Sequence, residues 1–261
     1  MRNIKLVLAY DGGDFNGWQV QPGLPTIQGS LAEAILRMSG EQVLPRGSGR
    51  TDAGVHALGQ VASFTTGSPI PVPNILVALN DLLPASIRVL EVQEAPAEFH
   101  PRRSARAKTY RYRMYREAIC PPFLARYVCH HPYALEEGAM QEAARLVVGE
   151  HDFTSFAAVD AERAERMRQA QENADEDAPN NVRRVFSSAF SREAAELIYT
   201  VRGNGFLHHM VRNLVGLFLL VGKGTVAADE VRRVLQARDR SANPGATAPA
   251  SGLYLVSVEY G

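Results

Sequence analysis

Cysteine is nearly missing from this chain: Cys120 and Cys129 are the only two among 261 residues. Two thiols build no disulfide framework, and neither a C-x-x-C nor an H-E-x-x-H spacing marks a zinc site. They read as ordinary thiols in a reducing cytoplasm. Long apolar runs are missing too. The greasiest stretch, "LVGLFLLVG" at 214–222, falls far short of the roughly 20 residues that a membrane span needs. The opening "MRNIKLVLAYDGGDF" turns polar at Asp11, too early for a secretion signal. No low-complexity tract occurs, and no repeat at a short fixed period. Net charge is also missing, with 28 Lys and Arg against 28 Asp and Glu. Overall charge therefore gives no reason to expect a polyanionic partner.

What is present is unevenly spread. "HPRRSARAKTYRYRMYR", residues 100–116, holds seven Lys or Arg and no acid, interleaved with Tyr110, Tyr112 and Tyr115. The compensating acids collect elsewhere, notably at 159–181. Separated signs steer a polyanion even when the total is neutral. Basic side chains neutralise phosphates, and aromatic faces stack on unpaired bases. A charge run alone reads as a solvated strand. Seven cations without one counter-charge move the reading towards RNA.

At 261 residues the chain exceeds the usual single-domain size of roughly 100 to 200 residues, so two domains are expected. Residues 4–10 form a short apolar run closed by the turn signal "DGGD", a buried strand. Residues 26–38 place Ile27, Leu31, Ala34, Ile35 and Met38 on one helical face. That helix has two candidate starts, Thr26 or a capping box of Ser30 and Glu33. A strand over 55–65, a helix over 74–84 and a strand over 86–92 complete a β-α-β-α-β first half. The second half opens with an alternating strand over 108–115 and a helix over 135–148 stopped by Gly149. Residues 161–177 read as a polar insertion or solvated helix. Paired strands follow over 182–190 and 196–202, then helices over 206–221 and 228–237 and a last strand over 253–259. The mixture predicts an α+β protein, each half a sheet covered by helices on one face, with domains over 1–104 and 105–261.

Three phosphate-loop readings fail. "GSGRTD" starts like G-x-G-x-x-G but has Asp52 in sixth place, and no G-K-[ST] follows it. "LAYDGGDF" resembles the strand-end aspartate of an aspartyl-phosphate enzyme but has Gly13 where a partner acid belongs. Asp52 itself stands in "RGSGRTDAGVHALGQVASF", with Arg50 before it and His56 after it. A carboxylate is an anion near neutral pH, and an adjacent guanidinium keeps it charged in a dry site. That combination suits covalent catalysis, and Gly47, Gly49 and Gly54 suit a loop passing close under a bulky ligand. Residue types alone favour the plainer reading, an Asx-type turn. Arg212 interrupts the otherwise apolar "FLHHMVRNLVG". It either snorkels to solvent or meets a buried acid, and the residues alone favour snorkelling. Adjacent His208 and His209 lack the spacing of a helical metal pair. A nuclease using Asp11, Asp14 and Asp52, and a non-catalytic RNA-binding module of paired ferredoxin-like halves, are the rival readings.

Five segments in order, "GRTDAGVHALGQVASF", "FHPRRSARAKTYRYRMY", "GEHDFTSFAAV", "FLHHMVRNLVG" and "GLYLVSVEY", closely resemble the tRNA pseudouridine synthase A family over essentially the whole chain. The resemblance implies two ferredoxin-like halves whose mixed, mainly antiparallel sheets meet at a basic cleft. It implies a cytoplasmic homodimer with no cofactor, no metal and no membrane association. It also implies that uridine becomes pseudouridine at tRNA positions 38, 39 and 40 of the anticodon stem-loop, on a base flipped from its stack. By position, Asp52 matches the catalytic aspartate, Arg50 the arginine that displaces the base, and Tyr110 the tyrosine that stacks on uracil. Arg212 matches the basic partner of the aspartate, and Leu253 an apolar residue of the pocket. His56, Arg102, Arg103, Arg106 and Lys108 are expected to contact the substrate. One departure is the charged segment after "DFTSFAAV", longer than the short link common in the family.

Overall fold

The first strand, β1 (Arg2–Tyr10), is pinned on both sides. It pairs antiparallel with β3 (His56–Thr66) and with β4 (Ile87–Ala95). Its alternating pattern buries Ile4, Leu6 and Leu8 on one face, as a period of two requires. This is a computed structural model, and it describes residues 1–158 and 180–261. The expected polar insertion at 161–177 lies outside the described residues.

Two compact units divide the chain. The first takes 1–111, 121–129 and 250–261, and the second takes 112–120 and 130–249. In the first, helix α1 (Ile27–Ser39) buries Ile27, Leu31, Ala34 and Ile35. Thr26 is its cap, extended in backbone, with its hydroxyl accepting from the Gly29 N–H. The box of Ser30 and Glu33 is therefore not the start, because its residues already lie inside the helix. Helix α2 (Val72–Leu82) packs on α1 and on β4. It starts two residues before the expected span because Pro71 opens it and Pro73 fits its first turn. Strand order is β4-β1-β3-β10-β5, where β5 spans Ala105–Tyr115 and β10 spans Leu253–Tyr260. A short β2 (Arg46–Gly47) also pairs with β3. Strand β3 pairs antiparallel with β1 and β2, β1 pairs antiparallel with β4, and β10 runs parallel to β3.

In the second unit the hairpin of β8 (Val182–Glu193) and β9 (Glu196–Gly203) carries the expected pairing. Its turn sets Ala194 at φ 49°. Strand β7 (Gly149–Asp152) lies on the far side of β8, so Gly149 opens a strand instead of ending a helix. Helix α4 (Glu137–Arg145) is shorter than the apolar pattern suggested and packs against β8 and helix α5 (Met210–Gly222). The latter starts four residues later than expected because His209, at φ 60°, holds the left-handed conformation just before it. A last helix, α6, covers Glu230–Ala237. Pro122–Ala125 form a single helical turn, α3, and Cys129–His130 a short strand, β6; neither has a period long enough to read from sequence. The result is the α+β class, with mainly antiparallel pairing and helices against the strands. No helix among the described residues is long and apolar enough to cross a membrane.

Candidate active site

The loop that carries Asp52 runs from β2 to β3, and its backbone is held at almost every residue. Ser48 N–H donates to Val61 O (2.8 Å), and Trp18 N–H donates to Thr51 O (3.0 Å). Val55 N–H donates to Asp52 O (3.1 Å), closing a turn whose third residue, Gly54, sits at φ +77°. A positive φ there is the geometry of a type II turn, which a side-chain-bearing residue adopts only under strain. Gly17 belongs to the same construction. A Cβ on it would stand 2.6 Å from Thr51 O, so the "DFNGW" segment reaches the loop only because residue 17 has no side chain.

Along this loop the side chains differ in burial. Ser48 and Thr51 are buried, Arg50 is exposed, and Asp52 is half-buried. Beneath lies a polar cluster. Ser48 Oγ donates to Gln60 Oε1 at 2.6 Å, and Gln60 Nε2 donates to Gly49 O at 3.0 Å. The same Nε2 reaches the Tyr10 hydroxyl at 3.4 Å, and that hydroxyl meets Thr51 Oγ1 at 2.9 Å. Burial pushes the Tyr10 phenol up to about 12, although its bonds to Thr51 and Gln60 work the other way. Lys108 Nζ donates to Ser48 O at 2.5 Å, and the residue is only 8% exposed.

Three neighbouring strands then bring the expected pocket residues together. Asp52 precedes β3, Leu253 begins β10, and Tyr110 lies on β5; these strands are consecutive in the sheet. Leu253 is 5% exposed and Tyr110 8% exposed. The Tyr110 phenol is held above the ordinary tyrosine range, first by burial, then by the charges of Tyr10 and Asp52. It stays protonated at physiological pH, with its ring and hydroxyl in the neighbourhood of the carboxylate.

His56 is placed otherwise than expected for a substrate contact. It is 2% exposed. Gly12 N–H donates to its Nδ1 at 3.1 Å, which leaves the proton on Nε2 to donate to Arg126 O at 3.2 Å. Its ring stacks on Tyr254 with centroids 4.8 Å apart. Burial lowers its pKa against the opposing pull of Asp11, whose Oδ1 is 3.2 Å from Nδ1. Two of the three aspartates that a nuclease would need are engaged as well: Arg126 reaches Asp11 at 3.1 Å and Asp14 at 2.8 Å. Burial acts to raise Asp11, but Gly13 N–H, the Tyr127 hydroxyl, His56 and Arg126 together hold it below the ordinary carboxylate range.

The basic stretch divides in two. Arg102, Arg103 and Arg106 are exposed. Burial, then Arg103 and Arg46, lower the pKa of His100, a sign that positive charge gathers there. Lys108 is turned inward. In the second unit Arg113 forms a forked pair with Glu196 (2.7 and 2.6 Å), and Arg116 is bonded to the carbonyls of His131 and Tyr133. The expectation of seven uncompensated cations is corrected accordingly, since distant residues supply partners that the local sequence does not show.

Arg212, also in the second unit, is half-buried in the first turn of α5. Its Nε donates to Ala248 O at 2.7 Å while Ala248 N–H donates back to Arg212 O at 3.2 Å. Next to it, buried Asn213 donates to Phe156 O at 2.7 Å and accepts from the Thr247 hydroxyl at 2.7 Å. The turn bearing Arg212 is thus fixed to two other segments of its unit. The residues missed by sequence reasoning are Tyr10, Gln60 and the Arg126–Tyr127 pair. Gln60 left one signal, a lone amide inside the apolar run "HALGQVASF".

Comparison with known proteins matches residues 7–102 and 143–261 to a family described as tRNA pseudouridine synthase. A protein of Solibacter usitatus named tRNA pseudouridine synthase A is 52% identical over 260 residues, covering 100% of each chain. One of Halalkalibacterium halodurans bearing the same name is 44% identical over 254 residues, which cover 97% of this chain and 90% of that one. A third, from Caldicellulosiruptor bescii, is 41% identical over 260 residues and 100% of each chain.

Proposed function

The chain belongs to the tRNA pseudouridine synthase family and is an isomerase that converts tRNA uridine to pseudouridine, and from that premise we propose that Asp52 is its catalytic carboxylate. The observation that supports this reading is the convergence of Asp52, in the loop entering β3, with Leu253 and Tyr110 on the next two strands of the sheet, close enough for the charge of Asp52 to act on the Tyr110 phenol. The reaction breaks the N1–C1′ bond, turns the uracil and joins C5 to C1′. N1 gains the proton that C5 loses, so the change is internal and needs no cosubstrate.

Asp52 acts as the nucleophile, at C1′ or C6 of the target nucleotide. The base leaves its helix at a cost of a few kcal/mol. Arg50, exposed two residues before Asp52, takes the vacated place in the stem. The Tyr110 ring and Leu253 bracket the uracil. Arg212 is the ion-pair partner that keeps the carboxylate ionised and aimed, and the substrate uridines are those at positions 38, 39 and 40. Arg102, Arg103 and Arg106 hold phosphates. The working form is a homodimer, which sedimentation at micromolar concentration tests directly, and its place of work is the cytoplasm.

The deciding experiment measures tritium release from 5-tritiated uridine in tRNA, with EDTA present, for wild type and Asp52→Asn. Release by the wild type and none by the variant is expected. Turnover by Asp52→Asn near the wild-type rate overturns the assignment. A wild type that binds tRNA without releasing tritium returns the non-catalytic RNA-binding reading.

A further inference from the structure

Gln60 has every hydrogen-bonding position of its amide filled although it is completely buried. Its Oε1 accepts from Ser48 Oγ (2.6 Å) and Val61 N–H (3.1 Å), and its Nε2 donates to Gly49 O (3.0 Å) and Tyr10 OH (3.4 Å). An amide offers two donors and two acceptor sites, so this one is saturated. Three of the four bonds lead to the Asp52 loop: directly to Ser48 and Gly49, and through Tyr10 to Thr51 at 2.9 Å. Between the Tyr10 hydroxyl and Thr51 Oγ1 either oxygen can be the donor, and the link holds both ways. Lys108 Nζ adds a fourth tie, to Ser48 O at 2.5 Å. The restrained residues 48, 49 and 51 flank Arg50 on both sides, and residue 52 follows directly. Buried polar groups of this kind are costly unless all are satisfied, and when satisfied they fix one arrangement.

We propose that Gln60, Tyr10 and Lys108 are positioning residues that set the backbone of the Asp52 loop from below, and that Lys108 performs this task instead of contacting tRNA phosphate. This rests on the reading of Asp52 as the catalytic carboxylate. The parity of β5 agrees with it: Lys108 shares the buried face of that strand with Tyr110, Tyr112 and Met114, while Thr109, Arg111, Arg113 and Tyr115 lie on the other face. A group displaced by about 1 Å from its productive place loses on the order of a hundredfold in rate. Loss of the clamp therefore lowers kcat and leaves tRNA affinity as it was.

The test compares Gln60→Met, Tyr10→Phe, Lys108→Met and Lys108→Arg as full-length proteins, with Asp52→Asn alongside. For each, kcat, KM, melting temperature and the salt dependence of tRNA binding are measured. Gln60→Met and Lys108→Met are expected to lose about a hundredfold in kcat. Tyr10→Phe, which keeps the ring and removes one link, loses about tenfold, and Lys108→Arg recovers part of the loss. KM and the salt slope stay at their wild-type values throughout. A Lys108→Met protein with raised KM, a shallower salt slope and unchanged kcat makes Lys108 a phosphate contact and overturns the assignment. Variants that melt earlier yet turn over at the wild-type rate when folded make the cluster merely structural and also overturn it; Tyr10→Phe gives that answer if the others fail to fold. An active Asp52→Asn removes the premise itself. An inactive Asp52→Asn beside fully active clamp variants removes only the clamp.

Discussion

The loop around Asp52 and the basic stretch from residue 100 to 116 are both rich in polar groups, yet they are built in opposite ways. In the loop, buried partners within the same unit hold Ser48, Gly49 and Thr51. At the start of the basic stretch, Arg102, Arg103 and Arg106 stand in solvent. The difference agrees with the roles proposed for each. Groups that act on a reacting atom need one fixed position, whereas groups that neutralise a polyanion work through charge and tolerate motion. Charged type alone does not reveal which is which: Lys108, two residues beyond Arg106, is buried and tied to Ser48 O like the held groups of the loop.

The largest expected effect falls on the held region. Asp52→Asn is expected to fold, bind tRNA with wild-type affinity and lose about ten-thousandfold or more in turnover; a parallel loss of binding would place Asp52 among the groups that hold tRNA. Next comes the exposed region. Replacing Arg102, Arg103 and Arg106 together by Gln should raise KM about tenfold with kcat unchanged. The slope of log affinity against log salt should flatten by about 2, since each phosphate contact contributes about 0.7 to 0.9. A fall in kcat without change in slope would move those arginines into the held class.

Smaller effects sharpen the comparison within the stretch itself. Arg113 is paired with Glu196, so Glu196→Gln should cost about 1 kcal/mol of stability in denaturant titration, with no change in the salt dependence of binding. The smallest effect concerns His56. Its pKa lies below the ordinary 6.5 because it is buried, against the pull of Asp11. The unfolded chain then binds a proton that the folded one refuses, so this contribution is complete above 6.5 and is lost as pH falls below it. His100 and His131, lowered in the same sense mainly by burial, share in that slope. Melting temperature should decline on acidification from pH 7 to 5, and His56→Gln should flatten part of the decline while leaving KM at neutral pH unchanged.

Much of the fold was legible. A short apolar run marked β1, alternation marked β5, a single helical face marked α1, and the β8–β9 pair was expected as paired strands. Local signals decided ends less well: Thr26 and the Ser30–Glu33 box were equal candidates until the Gly29 N–H chose Thr26. The left-handed His209 that delays α5 has no composition signature. Asp52, Arg50 and Arg212 stood out as charges in unusual surroundings. Long-range partners were hidden, which is why Arg113 and Arg116 looked uncompensated and His56 looked available. Lys108 could have been found, because its parity with Tyr110, Tyr112 and Met114 was already written in the alternation. Nothing local tells that residues 253–260 return to lie beside β3.

That return has a consequence for how the enzyme comes into being. Strand β10 lies between β3 and β5 in the sheet, so nearly 200 residues must leave the ribosome after β3 before the gap is filled. A nascent chain bearing the whole Asp52 motif still lacks Leu253 and the strand that joins its flanks. If Asp52 and Leu253 have the roles proposed for them, catalytic competence arrives late in translation and all together, and a chain stalled ahead of residue 250 is predicted to be inert towards tRNA.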